Sequence, residues 1–193
     1  MHHATLLSML DADQVRPDRF RPLKRVEYDQ LVELGVFEDE PIELLRGALV
    51  TVSPQKSPHA HAVQRLDRAL SRALGDRAGL RCQLPLAISD DSEPEPDIAV
   101  VVEASYREAH PTWAHLIIEV AESSLRKDRE VKRDLYAEAG VPEYWIVNVA
   151  DRVVEVYRVP VEGRYTERQQ VGPEARLRLV EFPDVEVAVG ELF

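Results

Sequence analysis

Apolar residues recur at spacings of three and four over 57–74. Val63, Leu66, Ala69, Leu70, Ala73 and Leu74 predict a long amphipathic helix there. A shorter helix is predicted over 24–34, around Val26, Leu31 and Leu34, and Gly35 stops it. Between the two, residues 42–52 read as two short strands around Gly47. Strand-like runs follow at 80–88, 97–102 and 115–120. The last two are continuously apolar, as in central strands covered on both faces. A second long helix is predicted over 127–139, with Val131, Leu135 and Ala139 on one face; Gly140 ends it and Pro142 keeps it from resuming. Strands over 143–149 and 152–159 flank Ala150 and Asp151 as a hairpin, and 176–180 and 185–189 read as further edge strands. Helix, hairpin, helix, three strands, helix, strand and hairpin make an α/β order with a mixed sheet.

Composition narrows the class. A chain of 193 residues, 45% hydrophobic and 31% charged, is expected to be one globular domain over 1–193. Its parts are an arm over 1–22, a core over about 25–150 and a C-terminal β extension over about 151–193. No apolar run approaches the roughly 20 residues of a membrane helix, and the first residues lack the basic and apolar regions of a signal peptide. The single cysteine, Cys82, excludes an intrachain disulfide and argues against a cysteine-based zinc site. A reducing cytoplasm is the natural compartment. Between Leu80 and Leu84, Cys82 reads as a buried structural thiol. The net charge of −11 opposes nonspecific nucleic-acid binding unless basic residues cluster. They do cluster: Arg65, Arg68 and Arg72 on one face of the first long helix, and Arg126, Lys127, Arg129, Lys132 and Arg133 on the second. Such runs are either solvated faces or phosphate contacts.

Candidate chemistry centres on two carboxylates. Asp97 opens a strand after Glu-Pro-Glu-Pro, whose prolines hold the approach extended and deny donors to a neighbouring strand. Glu119 closes Leu-Ile-Ile, where a solvated carboxylate is out of place; pairing, protonation or a metal must compensate its burial. Together they point to Mg²⁺ or Mn²⁺, which take oxygen ligands, and so to metal-assisted phosphodiester hydrolysis. Taken alone, Lys132 is a helix lysine paired with Asp128; near Glu119 it gains a role beside the attacking water or the attacked phosphate. Glu43 is either an ordinary strand glutamate or a supporting carboxylate. His59 and His61, two apart on a helix, face different ways, so one of them can face a site.

These segments carry a resemblance. Glu43-Leu-Leu-Arg-Gly47, His59, Pro96-Asp97, Ile118-Glu119-Val120, the spacing Asp128, Lys132, Tyr136, and Gly140-Val-Pro-Glu-Tyr-Trp145 resemble the Uma-two family of bacterial endonucleases, in the PD-(D/E)XK superfamily. The resemblance covers roughly 25–150. It implies a restriction-endonuclease-like mixed β-sheet flanked by helices, and a Mg²⁺-dependent DNA endonuclease with its metal on Asp97, Glu119 and the Val120 carbonyl. The superfamily's lysine position, two residues after the glutamate, is Ala121 here, and the resemblance moves that role to Lys132 on the following helix. Glu43 would hold a metal-bound water, with His59, Asp128 and Tyr136 auxiliary. Arg65, Arg68, Arg72, Arg126, Lys127 and Arg129 would meet DNA. Cutting both strands with one site per chain implies a homodimer. The alternative is a catalytically silent nuclease fold that binds nucleic acid or a protein partner.

Overall fold

The computed structural model describes residues 21–193. The expected N-terminal arm lies outside the described residues except for its last two. Helix α1 (Arg25–Glu33) leads into a hairpin of β1 (Ile42–Leu45) and β2 (Ala48–Thr51). Arg46 and Gly47 turn it, both with positive φ, 51° and 75°, the twist that a two-residue hairpin needs. Helix α2 (Ser57–Leu74) follows, with Pro58 in its first turn, where a missing N–H costs nothing.

A six-stranded sheet forms the centre, in the order β3-β4-β5-β6-β7-β8. Its strands are β3 (Gly79–Arg81), β4 (Ile98–Val101), β5 (Leu116–Ala121), β6 (Glu143–Asn148), β7 (Val153–Val161) and β8 (Arg164–Val171). Every pair is antiparallel except β5 and β6, which run parallel. A parallel pair needs a crossover, supplied by one helical segment in three parts. These are α3 (Leu125–Lys127), a π turn (Asp128–Lys132) and α4 (Arg133–Glu138). Strands β9 (Arg176–Arg178) and β10 (Glu186–Ala188) pair as a separate ribbon.

Strands β4, β5 and β6 are buried at every residue, because both sheet faces are covered. On one face Ile98, Ile118, Val120 and Trp145 meet Leu66, Leu70 and Leu74 of α2, and Leu177, Val185 and Val187 of the C-terminal segment. On the other, Ile117, Ala121 and Ile146 meet Leu45 of the hairpin, Leu135 and Tyr136 of α4, and Tyr144 and Tyr157. Side chains alternate along a strand, so Glu119, between Ile117 and Ala121, is turned into this second layer.

Several expectations are corrected. The run at 80–88 is a strand only over Gly79–Arg81: Gln83 has φ 52° and its amide bonds the carbonyls of Pro96 and Asp97, so the chain leaves the ladder. Cys82 is therefore outside the strand and half-buried; burial pushes its thiol up to about 12. On α2 the buried stripe is Ala62, Leu66, Leu70 and Leu74, while Ala73 is exposed. On the crossover helix Val131 and Ala139 are only half-buried; Asp128, Lys132, Leu135 and Tyr136 face inward. β8 has no sequence forecast, because its polar residues carry no apolar alternation.

Candidate active site

Ladder pairing between β4 and β5 ends at Ile98 opposite Ile118. The next even-numbered partner of β5 would be Pro96, which has no N–H to give. The chain diverges, and the Val120 N–H is taken by Asp97 Oδ2 at 2.8 Å. The Val120 carbonyl lies on the same side of the strand as its N–H. The opening between the two strands thus follows from the Glu-Pro-Glu-Pro approach. Two further donors hold Asp97: His59 Nε2 at 3.2 Å from Oδ2, and Gln83 Nε2 at 3.2 Å from Oδ1. Burial opposes ionisation of Asp97, but these bonds and the His59 charge outweigh it and lower its pKa. The same contact raises His59, again against burial.

Glu119 is 4% exposed. Its Oε1 accepts from Lys132 Nζ at 2.9 Å and from the Tyr136 hydroxyl at 2.8 Å. Oε2 has no partner among the described residues. Lys132, 2% exposed, also donates to Glu43 Oε1 at 2.9 Å, so it bridges the hairpin and β5 rather than pairing with Asp128 along its own helix. Glu43 accepts in addition from the Glu95 amide at 3.3 Å and from Lys127 Nζ at 3.5 Å. Burial raises the pKa of Glu119, with Lys132 opposing. Burial also opposes the Lys132 charge, but Glu119, Glu43 and Asp128 outweigh it, and Lys132 stays protonated.

The π turn sets these directions. The Arg133 N–H reaches back to the Asp128 carbonyl, five residues earlier, and Tyr144 donates to the same carbonyl at 3.2 Å. Widened turns of this kind are common at functional sites. Asp128 and Lys132 both point inward. Ser124 donates to Asp128 Oδ2 at 2.6 Å, whereas Asp128 Oδ1 is buried with no partner among the described residues.

Of these groups, Glu43, His59, Asp97, Glu119, Ser124, Asp128 and Lys132 line one cleft of about 280 Å³, and Gln83 and Tyr136 act on it through Asp97 and Glu119. Six carboxylates (Glu43, Glu95, Asp97, Glu119, Glu122 and Asp128) face it against Lys56, Lys127 and Lys132. Among the described residues, no group of three or more His, Cys, Asp and Glu stands ready to hold a metal ion. The donor chemistry still fits an oxygen-seeking cation: negative charge is in excess in the lining, and Asp128 Oδ1 is buried with no partner among the described residues.

The structure brings together Asp97, Glu119, Val120, Lys132, Glu43, His59, Asp128 and Tyr136. His61 is exposed. Of the basic residues expected to meet DNA, Lys127 lines the cleft; Arg65, Arg68, Arg72, Arg126 and Arg129 do not. Arg65 pairs with Glu191 and Arg129 with buried Glu155, while Arg126 meets Glu130 at 3.0 Å. Sequence reasoning missed Gln83, Glu95 and Ser124. Glu95 sits inside the Glu-Pro-Glu-Pro signal and was within reach; Gln83 has no local mark.

A sequence profile described as "Putative restriction endonuclease", Uma2, matches residues 25–190. No curated protein matches the chain. The crystal structure of "a putative nuclease belonging to DUF820" from Anabaena variabilis aligns with TM-score 0.70 at 16% identity, over 89% of this chain and 98% of that one. That similarity shows a shared restriction-endonuclease-like fold.

Proposed function

The chain belongs to the Uma2 restriction-endonuclease family, and on that premise we propose that it is a metal-dependent DNA endonuclease. The observation that carries this reading is the convergence of Asp97, Glu119, Lys132 and Glu43 on one acidic cleft. Asp97, Glu119 and the Val120 carbonyl would hold a divalent cation, Mg²⁺ or Mn²⁺, whose chemistry is to acidify water and to neutralise charge at phosphorus. His59, Gln83 and the Val120 amide fix the Asp97 carboxylate. Lys132 keeps its proton, so it stabilises developing negative charge and is not a general base. Glu43 and Tyr136 hold Lys132 and Glu119 in register.

Plasmid cleavage with Mg²⁺ or Mn²⁺ tests the reading. Wild-type protein should nick or cut, and Asp97→Ala or Glu119→Ala should lower the rate at least ~10²-fold, on the scale of losing one electrostatic stabiliser. Cleavage that survives both substitutions would place the chemistry elsewhere.

A second reading has its own support. Both Asp97 oxygens are already hydrogen-bonded, and the chain carries −11, which suits a silent binding module in the cytoplasm. Calorimetric titration with Mn²⁺ separates the two, since no heat at millimolar ion favours the silent module. A homodimer belongs to the nuclease reading, with the long edge strand β8 as its pairing edge. A single-chain mass by light scattering at micromolar concentration would remove that part.

A further inference from the structure

Behind the helix that carries Lys132 lies a second hollow, of about 380 Å³, whose charge is opposite to that of the chain. Arg133, Arg164 and Arg168 line it with Tyr157, Tyr165 and one carboxylate, Asp134. The whole chain carries 35 acidic side chains against 24 lysines and arginines, so three arginines to one carboxylate is a local reversal. Arg133 bonds Asp134 at 2.7 Å. Arg168 donates to buried Glu155 at 3.1 Å, but Glu155 is already paired with Arg129, and one positive charge is left over. Arg164 is exposed and has no carboxylate within ion-pair reach among the described residues.

Part of the hollow is held by contacts within the fold. The Arg168 guanidinium lies 5.7 Å over the Tyr157 ring, and Tyr157 is fixed by its hydroxyl on Glu155 at 2.7 Å. Tyr165 stands 6.1 Å from Tyr157, its hydroxyl on the Val141 carbonyl at 2.9 Å, its ring half-buried. Guanidinium forks match phosphate oxygens, and Tyr165, unlike the buried Tyr157, keeps part of its ring exposed.

We propose that this hollow binds the phosphodiester backbone of nucleic acid outside the cleft. The proposal rests on the nuclease reading for its substrate, and the helix joins the two places. Lys127, Asp128 and Lys132 face the cleft, while Arg129 reaches β7 and Arg133 lines the hollow. A strand crossing the helix meets both. The hollow supplies the positive charge that the acidic cleft lacks.

The test is anisotropy of a short fluorescent DNA duplex with EDTA present, over a salt series, beside cleavage kinetics with Mg²⁺ or Mn²⁺. Arg164→Glu is the leading variant, because that side chain is exposed and holds no carboxylate among the described residues. Arg133→Ala/Arg164→Glu extends it, and Arg164→Lys is the conservative control. Arg164→Glu should weaken binding ~10-fold or more and lower the salt slope by about 1. It should raise KM with kcat within ~2-fold, and Arg164→Lys should retain most of the affinity. Wild-type protein that cuts DNA, with affinity and KM unchanged in the double variant, overturns the hollow and leaves the nuclease reading standing. Wild-type protein that binds DNA without cutting it, and loses binding in Arg164→Glu, keeps the hollow while the nuclease reading fails. Wild-type protein that binds no duplex at low salt, or binds polyglutamate more tightly than DNA, overturns the proposal.

Discussion

Lys132 joins two buried carboxylates on different elements, and its removal strands both. Breaking a buried ion pair from one side costs about 3–5 kcal/mol. Lys132→Ala should therefore lower the urea-unfolding free energy by that amount as well as abolish cleavage. Lys132→Arg should recover only part of both, since a planar fork does not fit where an ammonium bridges Glu43 and Glu119. A fully stable, fully active Lys132→Ala protein would return this residue to the status of an ordinary helix lysine. Glu93 gives a pH signature away from the cleft. It is 5% exposed, its Oε2 has no hydrogen-bond partner among the described residues, and Arg25 stands 3.8 Å away. Burial, with Asp29 adding to it and Arg25 opposing, raises its pKa from 4.5 to about 7. Between these values the unfolded chain releases a proton that the fold retains, so stability falls as pH rises through the window. Glu93→Gln, which imitates the protonated acid, should gain ~2–3 kcal/mol over wild type on moving from pH 4 to pH 8. A difference that does not change with pH would show that Glu93 titrates normally.

The elements succeed or fail as forecasts for local reasons. Helix α2 has a clean three-four period and a proline at its start, and its limits fall at 57 and 74 as expected. The crossover helix was legible as a helix, but its inward face was not. A stripe of Asp128, Lys132 and Tyr136 reads as polar, and only the cleft behind it explains the burial. β8 was invisible because both its faces are largely solvated, while β7 beside it supplies the pairing. The β1–β2 hairpin was legible from Gly47, and that residue offers a test. Its φ is 75°, and a Cβ there would stand 2.3 Å from the Pro22 Cβ. Gly47→Ala should destabilise the protein by ~2–3 kcal/mol in chemical unfolding and, by shifting Glu43 on β1, slow any cleavage. An unchanged unfolding midpoint would mean that the turn relaxes freely.

At the scale of the molecule, one core layer joins the centre of the chain to its end. Leu177, Leu179, Val185, Val187, Val189 and Leu192 pack with α2 and with β4 to β6. Unfolding should then be a single transition: the fluorescence of buried Trp145 and half-buried Trp113 and far-UV circular dichroism should give the same urea midpoint. Truncation after Val171 should leave the protein insoluble, because it uncovers that layer. Two separated midpoints would divide the C-terminal segment from the rest.

Apolar periodicity, glycine and proline placement fixed most elements of this chain, since each depends on neighbours within a few residues. A carboxylate among apolar residues marked Glu119, and proline spacing marked Asp97, because both break a local pattern. Pairing belonged to the tertiary structure. Lys132 lies within reach of Asp128 in sequence and bonds Glu43 and Glu119 in space. The arginines of α2 look like a DNA-binding face in sequence, yet lie off the cleft once that helix has turned its leucines inward. The basic hollow draws its residues from the crossover helix, β7 and β8. Charge clusters read along a chain count neighbours in sequence. Electrostatic work depends on separation in space and on burial, which exist only after the sheet has chosen its order.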